Sequence, residues 1–528
     1  MGNLVSSIQE ECLSSEAPSI RHSVLWMRVI AWLVFATALL NTLYYVLRTS
    51  NPVIRSDAWY FLDSFLSKAA NGSLGLADFF VKRTSDDHAQ PLLKVILLLE
   101  WRYFHLDFMV EAVAGVLAAA ACAMILIGFV MTGRQDDALD NRRYLAWSVM
   151  CVLLFSLNAV GIWTWSLVAI GYVTVIPILL FMGAAWQAQH KRRYVALIAA
   201  TLLLGIIADD SALITVVAVI LALLLVAFCD RSQRSGIWRT IIVIGACLAV
   251  VRIGYSFAPM TGGASDSSIS AQVSQLVGRL SAGDWWKWFV LPLSLPVVYE
   301  FPGRMISSWA LWPIVRAVMV TFLLAAHVAF WWRAWRGRYN LPMFVAVCLM
   351  LLSYAWLAGI LLVRVAYFGS DYLYQDRYIQ LFQFNLVALL LMWAAASKLE
   401  PKTTSWRRTL FVVLPTIGCL VLLLVQIPLS YDGWQRRKYL PHYYQQMAIQ
   451  IGQLAVDPAN TEGCLPELVV CGWSLETRKQ LVQFLRTNQL NVFSPTLQAR
   501  YDYLPRLPAA TATPPARPPA SVSGNTHQ

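Results

Sequence analysis

The chain repeats one pattern: apolar runs of roughly 14–25 residues, parted by short segments that carry Lys and Arg. A helix needs about 20 apolar residues to cross about 30 Å of hydrocarbon. Inside a bilayer the backbone must satisfy its own hydrogen bonds, which leaves helices or closed barrels. Runs of this length, without strand alternation, select helices. Composition agrees: 58% of residues are hydrophobic and 13% charged, where a soluble chain has about 45–50% and about 25%. Soluble, collagenous and disordered classes are excluded. The fold class expected is all-α, a polytopic membrane protein of about eleven transmembrane helices with interfacial helices in its first outer loop and a small outer domain near its C-terminus. The expected spans are Val29–Leu47, Phe108–Thr132, Tyr144–Trp163, Thr164–Gln187, Tyr194–Ile207, Ala212–Cys229, Ile241–Phe257, Trp309–Trp332, Met343–Val363, Ile379–Ala396 and Leu410–Leu429.

The formal net charge of +12 would suggest nucleic acid in a soluble protein. Here the cations sit at the ends of apolar runs, where they set topology. Alternate short segments carry Arg134, Arg142 and Arg143; Lys191, Arg192 and Arg193; Arg231, Arg234 and Arg239; Arg333, Arg336 and Arg338; Lys398, Lys402, Arg407 and Arg408. The intervening ones are nearly free of Lys and Arg, with Arg364 and Arg377 as exceptions. The first set is expected in the cytoplasm, with the N-terminus inside and the C-terminal segment outside. The domains then read as a cytoplasmic tail over 1–28, a membrane domain over 29–429 with its first outer loop at 48–107, an outer cap over 430–504 and a Pro/Ala-rich disordered tail over 505–528. A bacterial inner membrane is the expected location, with the C-terminus periplasmic; an endoplasmic-reticulum membrane is the alternative.

Polar residues gather in the outer segments, so chemistry is sought there. After the first span, Arg55-Ser56-Asp57-Ala58-Trp59 opens a helical pattern whose Trp59, Leu62, Phe65, Leu66 and Ala69 share one apolar face. Such a helix suits a membrane surface. Asp57 stands at its start, where a carboxylate caps backbone N–H groups and can also accept a proton. Further along, Lys82-Arg83-Thr84-Ser85-Asp86-Asp87-His88 precedes a second expected interfacial helix from Pro91, with Lys94 and Arg102 snorkelling.

This arrangement resembles the membrane-embedded glycosyltransferases of the GT-C fold: many helices around a cavity open to the outer side, with interfacial helices and an acidic residue in the first outer loop. The resemblance covers the topology of about residues 25–430. It places Asp57 where that acid stands, and matches Asp86, Asp87 and His88 to a second polar cluster. It implies transfer of a sugar from a polyprenyl-phosphate carrier to an acceptor hydroxyl, with Asp57 or Asp87 as base and His88 sharing or positioning the proton. An Arg-Tyr pair opening a late span is also a feature of several members; Arg377 and Tyr378 stand there, with Arg377 expected at the donor phosphate. Partners implied are the bilayer, a polyprenyl-phosphate-linked sugar and a glycan or lipid acceptor.

Charges in or beside the spans add candidates. Arg252 and Arg316 lie within expected spans, where an Arg costs roughly 2.5–3.5 kcal/mol at the centre; they either snorkel or face a cavity and hold the carrier phosphate. Asp209 and Asp210 follow a short run and dip towards a wet cavity, unless the span boundary lies elsewhere. No cofactor is required; a divalent cation is compatible with Asp86, Asp87 and His88. In the C-terminal segment, Arg436-Arg437-Lys438 lies against the charge rule, Val469-Val470-Cys471 has the composition of a short strand, and Cys464 and Cys471 are placed to form a disulfide on an oxidising side. The competing readings are an O-antigen-type polymerase or ligase, and a lipid-linked sugar flippase or transporter. The second predicts an internal repeat, which the sequence lacks.

Overall fold

The computed structural model describes residues 17–82, 89–132, 137–208, 210–257, 269–300, 309–395 and 412–507. The chain forms two compact units. The first, built from residues 1–50, 75–93 and 109–438, holds eleven long helices among the described residues: α1 (Ala17–Thr49), α2 (Met109–Met131), α3 (Asp137–Leu154), α4 (Gly171–Lys191), α5 (Tyr194–Ala208), α6 (Asp210–Cys229), α7 (Arg234–Ser256), α8 (Trp312–Arg336), α9 (Leu341–Ile360), α10 (Asp376–Ala394) and α11 (Leu414–Arg436).

Nine helices among the described residues are long and apolar enough to cross a membrane. The chain is therefore a helical, multi-pass membrane protein. Two of the expected spans fall short of that standard. The one placed at Tyr144–Trp163 is α3, 18 residues long with a charged first half, and it ends at Leu154. The one placed at Tyr194–Ile207 is α5, with 15 residues. Between α3 and α4 the chain is broken into two four-residue helices, Gly161–Thr164 and Ser166–Ala169. The apolar composition runs through this break without interruption, so composition alone extends α3 too far.

The membrane unit has a centre and a rim. In α10 the most apolar stretch is 78% buried, whereas in α7 it is 17% buried. α9 packs along α10, α6 along α9, α3 along α10, and α1 along α3. α9 starts cleanly because Asn340 accepts the Met343 N–H at 3.0 Å and Pro342 occupies the first turn, where a missing donor costs nothing. Helices α1, α7 and α8 expose large apolar side chains such as Leu40, Val250 and Val328, which fits lipid contact.

The second unit is assembled from residues 51–74, 94–108 and 439–528. Its first piece is the helical stretch expected at the membrane surface, but the apolar face is enclosed: Trp59, Leu62, Phe65 and Leu66 are all buried. The helical period reveals a face, not what covers it. Lys94, expected to snorkel, is buried with its ammonium 5.6 Å from the centre of the Phe65 ring, a cation–π distance. Val469–Gly472 forms a 3-10 turn rather than a strand. Two knots hold the pieces together. Buried Asn491 donates to the carbonyls of Pro52 (2.8 Å) and Leu106 (2.7 Å) and accepts the Ile54 N–H (3.0 Å). Fully buried Asp107 accepts from Arg500 at 2.7 Å and from the Tyr501 hydroxyl at 3.0 Å. Burial, reinforced by the Asp107 charge, pushes the Tyr501 phenol well above its ordinary range.

Candidate functional site

Polar chemistry in the membrane unit converges on the connection between α9 and α10. α9 runs into a π turn at Leu361–Val365, then a short helix to Phe368. π turns interrupt helices at functional sites more often than elsewhere. Gly369 then takes φ +87°, a conformation glycine adopts without steric cost, and a 3-10 turn, Ser370–Tyr374, leads into α10. The turn is pinned from outside: Trp288 Nε1 donates to Ser370 Oγ at 2.9 Å, and the Tyr299 hydroxyl donates to the Tyr374 carbonyl at 2.7 Å. Lys287 bonds Asp371 at 2.8 Å, and that bond holds its ammonium above the usual lysine range despite partial desolvation.

Arg377 emerges from this turn, in the first turn of α10. Its Nη2 donates to the Tyr372 hydroxyl at 2.7 Å. Its guanidinium carbon lies 5.2 Å from the Tyr378 ring centre, 5.7 Å from that of Tyr372 and 6.0 Å from that of Trp165. Three rings thus frame one cation. The Arg377 Nε is buried and has no hydrogen-bond partner among the described residues. A buried guanidinium N–H left open is costly and is the donor an anion would take. Arg364, on the π turn, is exposed, and its charge lies close enough to act on the Tyr378 hydroxyl together with that of Arg377.

Asp376, next to Arg377, accepts the Gly161 N–H at 2.7 Å. A Cβ at position 161 would overlap the Asp376 carboxylate, so glycine is what lets the broken segment between α3 and α4 approach the start of α10. The same segment contributes Trp165. Its Asn158 donates to the Leu295 carbonyl at 2.9 Å and accepts the Tyr299 N–H at 2.7 Å. The broken segment, the 287–299 stretch and the α9–α10 turn therefore form one hydrogen-bonded end of the unit.

The other sequence candidates fall as follows. Arg316 is on α8 and pairs with Glu300 at 2.6 Å, with its guanidinium 5.8 Å from the Trp286 ring centre. Arg252 is partly buried on α7. Asp210 is the first residue of α6, while Asp209, Asp86, Asp87 and His88 lie outside the described residues. Asp57, in the second unit, precedes the helix Ala58–Phe61, but its side chain makes no capping bond. Among the described residues its partly exposed carboxylate has no hydrogen-bonding or ionic partner. Ser56, just before it, has φ +48°, a left-handed conformation uncommon for a non-glycine residue. Cys464 and Cys471 are joined by a disulfide.

Sequence reasoning did not find Gly161, Trp165, Tyr372 or Glu300. Each acts through a partner distant in the chain or on another element, and no spacing rule connects them. Arg364 carried a signal, as one of two cations in an otherwise basic-poor loop.

The chain matches no known protein family, no curated protein and no solved structure.

Proposed function

We propose that the protein is a membrane-embedded glycosyltransferase that moves a sugar from a polyprenyl-phosphate carrier to an acceptor hydroxyl on the outer face of a bacterial inner membrane. The observation that carries this reading is Arg377: a cation framed by three rings at the end of the membrane unit, with an open buried Nε–H. A phosphate oxygen is a natural partner for such a guanidinium, and Arg364 adds a second cation nearby. The anion expected at the end of a membrane unit whose outer helices expose apolar side chains is a lipid phosphate.

The chemistry is a displacement at the anomeric carbon. The acceptor oxygen attacks C1, and its proton passes to a carboxylate, for which Asp57 is chosen because its side chain is not spent on capping. Asp87 remains the alternative base. The bond from C1 to the phosphate oxygen breaks, and the polyprenyl phosphate leaves with the electron pair, its charge offset by Arg377. One displacement inverts the anomeric centre. The Cys464–Cys471 disulfide supports the outward orientation of the C-terminal segment, since thiols stay reduced in the cytosol.

The test is donor consumption in lipid. Purified protein is incubated with a panel of labelled polyprenyl-phosphate sugars, beside Asp57→Asn, Asp87→Asn and Arg377→Ala. Wild type is expected to consume one donor, and loss of a general base is expected to lower turnover about 10²–10⁴-fold. If no donor is consumed while a lipid-linked sugar crosses the bilayer faster, the transferase reading fails and a flippase replaces it.

A further inference from the structure

Asp57 is aimed by a part of the chain that lies far from it in sequence. Ser56 holds a left-handed backbone, and such a residue persists only when its surroundings over-determine it. Part of those surroundings is one loop of the second unit, residues 458–473. The Ser56 N–H donates to the Glu467 carbonyl at 2.6 Å. The Tyr60 ring, one helical turn after Asp57, lies 4.7 Å from that of Trp473. Asp57 thus stands between two contacts made by the same loop.

That loop is fixed far more tightly than a surface loop needs to be. The disulfide Cys464–Cys471 closes it on both sides of Glu467. Arg478, only 7% exposed, donates to four of its carbonyls: Pro458 (2.5 Å), Cys471 (2.7 Å), Trp473 (2.8 Å) and Val470 (3.3 Å). Gln450 holds it from another helix, donating to the Gly463 carbonyl at 2.6 Å and accepting the Leu465 N–H at 3.0 Å. The Glu467 carboxylate is bonded to the Tyr443 hydroxyl, whose proton burial and that carboxylate hold well above the usual phenol range.

We infer that this disulfide-closed loop is the platform that positions Asp57, with Cys464, Cys471, Arg478 and Trp473 as positioning residues for the carboxylate; the inference rests on Asp57 being the base. The disulfide and the bonds from Arg478 and Gln450 fix the loop on which Glu467 and Trp473 stand, and these two residues reach the Ser56–Tyr60 turn through the Ser56 N–H and the Tyr60 ring. Loosening the loop lets Ser56 relax out of its left-handed conformation and turns Asp57 away, while the Asp107 and Asn491 knots keep the rest of the unit folded.

Hydrogen exchange read by mass spectrometry on the full chain in nanodiscs, before and after reduction with a phosphine, tests this without any substrate. Reduction is expected to speed exchange at least tenfold in peptides spanning 55–61 and to leave 100–108 and 491–504 unchanged. Trp473→Ala, with the disulfide intact, is expected to do the same at 56–61 without reductant. Acceleration confined to 459–473 overturns the inference, and so does uniform acceleration across the unit, which would make the disulfide a general staple. Turnover gives a second arm. With the donor that wild type consumes, reduction is expected to lower kcat at least tenfold, change KM little and displace the acid limb of the pH profile. The residual rate of Asp57→Asn is expected to ignore reductant. Reduced wild type with full kcat, alongside an inactive Asp57→Asn, would refute the platform and leave the transferase standing. If no donor turns over, the transferase reading fails and the exchange result alone decides whether the loop holds the turn.

Discussion

Arg377 needs to be an arginine, and not merely a cation. Its Nη2 donates to Tyr372, the rings of Tyr372, Tyr378 and Trp165 lie around it, and its buried Nε–H has no partner among the described residues. Lysine would restore the charge as a flexible point without that second, directed donor. Arg377→Lys is therefore expected to weaken binding of polyprenyl phosphate alone by about 10–100-fold, the loss of one charge-assisted hydrogen bond, and Arg377→Ala to weaken it at least as much. Titration of the lipid into nanodisc-held protein, followed by Trp fluorescence, measures both. Equal affinity for Lys and Arg would mean that the Nε–H meets nothing. At the same scale, Tyr501 gives a pH dependence. Its folded pKa lies above the unfolded phenol value of about 10, so its contribution is complete below pH 10 and is lost as pH rises beyond it. The second unit is expected to lose stability above about pH 10, and Tyr501→Phe to flatten that decline; thermal melts of the two proteins between pH 8 and 11 decide it.

At the scale of elements, the broken segment between α3 and α4 is the part that sequence handles worst and the candidate site depends on most. Gly161 admits the Asp376 carboxylate. Gly161→Ala is expected to cost about 1–3 kcal/mol, as inserting a methyl into filled space does, and to separate Trp165 from Arg377. Lower melting temperature with a proportionate loss of lipid-phosphate affinity is the expected pair of results. Unchanged affinity would show that Trp165 is dispensable. The apolar runs and the all-helical class were legible because hydrocarbon thickness imposes a length and lipid imposes a composition. The ends of the runs were less so: one apolar stretch runs through Phe155 to Ile170, where a turn over Asn158–Ser166 is all the sequence suggests, and buried partners such as Gln426, which accepts from Ser156 at 2.6 Å, mark the break. The helix at Ala58–Ala70 illustrates a second limit. Its period marks Trp59, Leu62 and Phe65 as one face, yet whether that face meets lipid or protein depends on residues hundreds of positions away. Asp107 and Arg500, 393 residues apart, carry no sign of each other at all.

For the whole molecule, the proposed orientation makes a prediction of its own. Lys191 and Asn460 are both exposed and belong to segments assigned to opposite sides. In intact cells with a permeabilised outer membrane, a membrane-impermeant thiol reagent is expected to label Asn460→Cys and to spare Lys191→Cys until the inner membrane is broken. The reverse pattern would invert the topology and leave the disulfide on the reducing side. A further consequence concerns the order in which the chain is made. The second unit draws on residues 51–74, 94–108 and 439–528, so its first two pieces leave the ribosome long before the third exists. At a synthesis rate of about 5–20 residues per second, the wait is roughly 20–70 seconds. Throughout it, the apolar face of Trp59, Leu62, Phe65 and Leu66 lacks the C-terminal share of its unit. A nascent chain of this design carries the first two pieces of the unit without the third while the membrane helices are made, and a protein truncated before residue 439 never completes the unit.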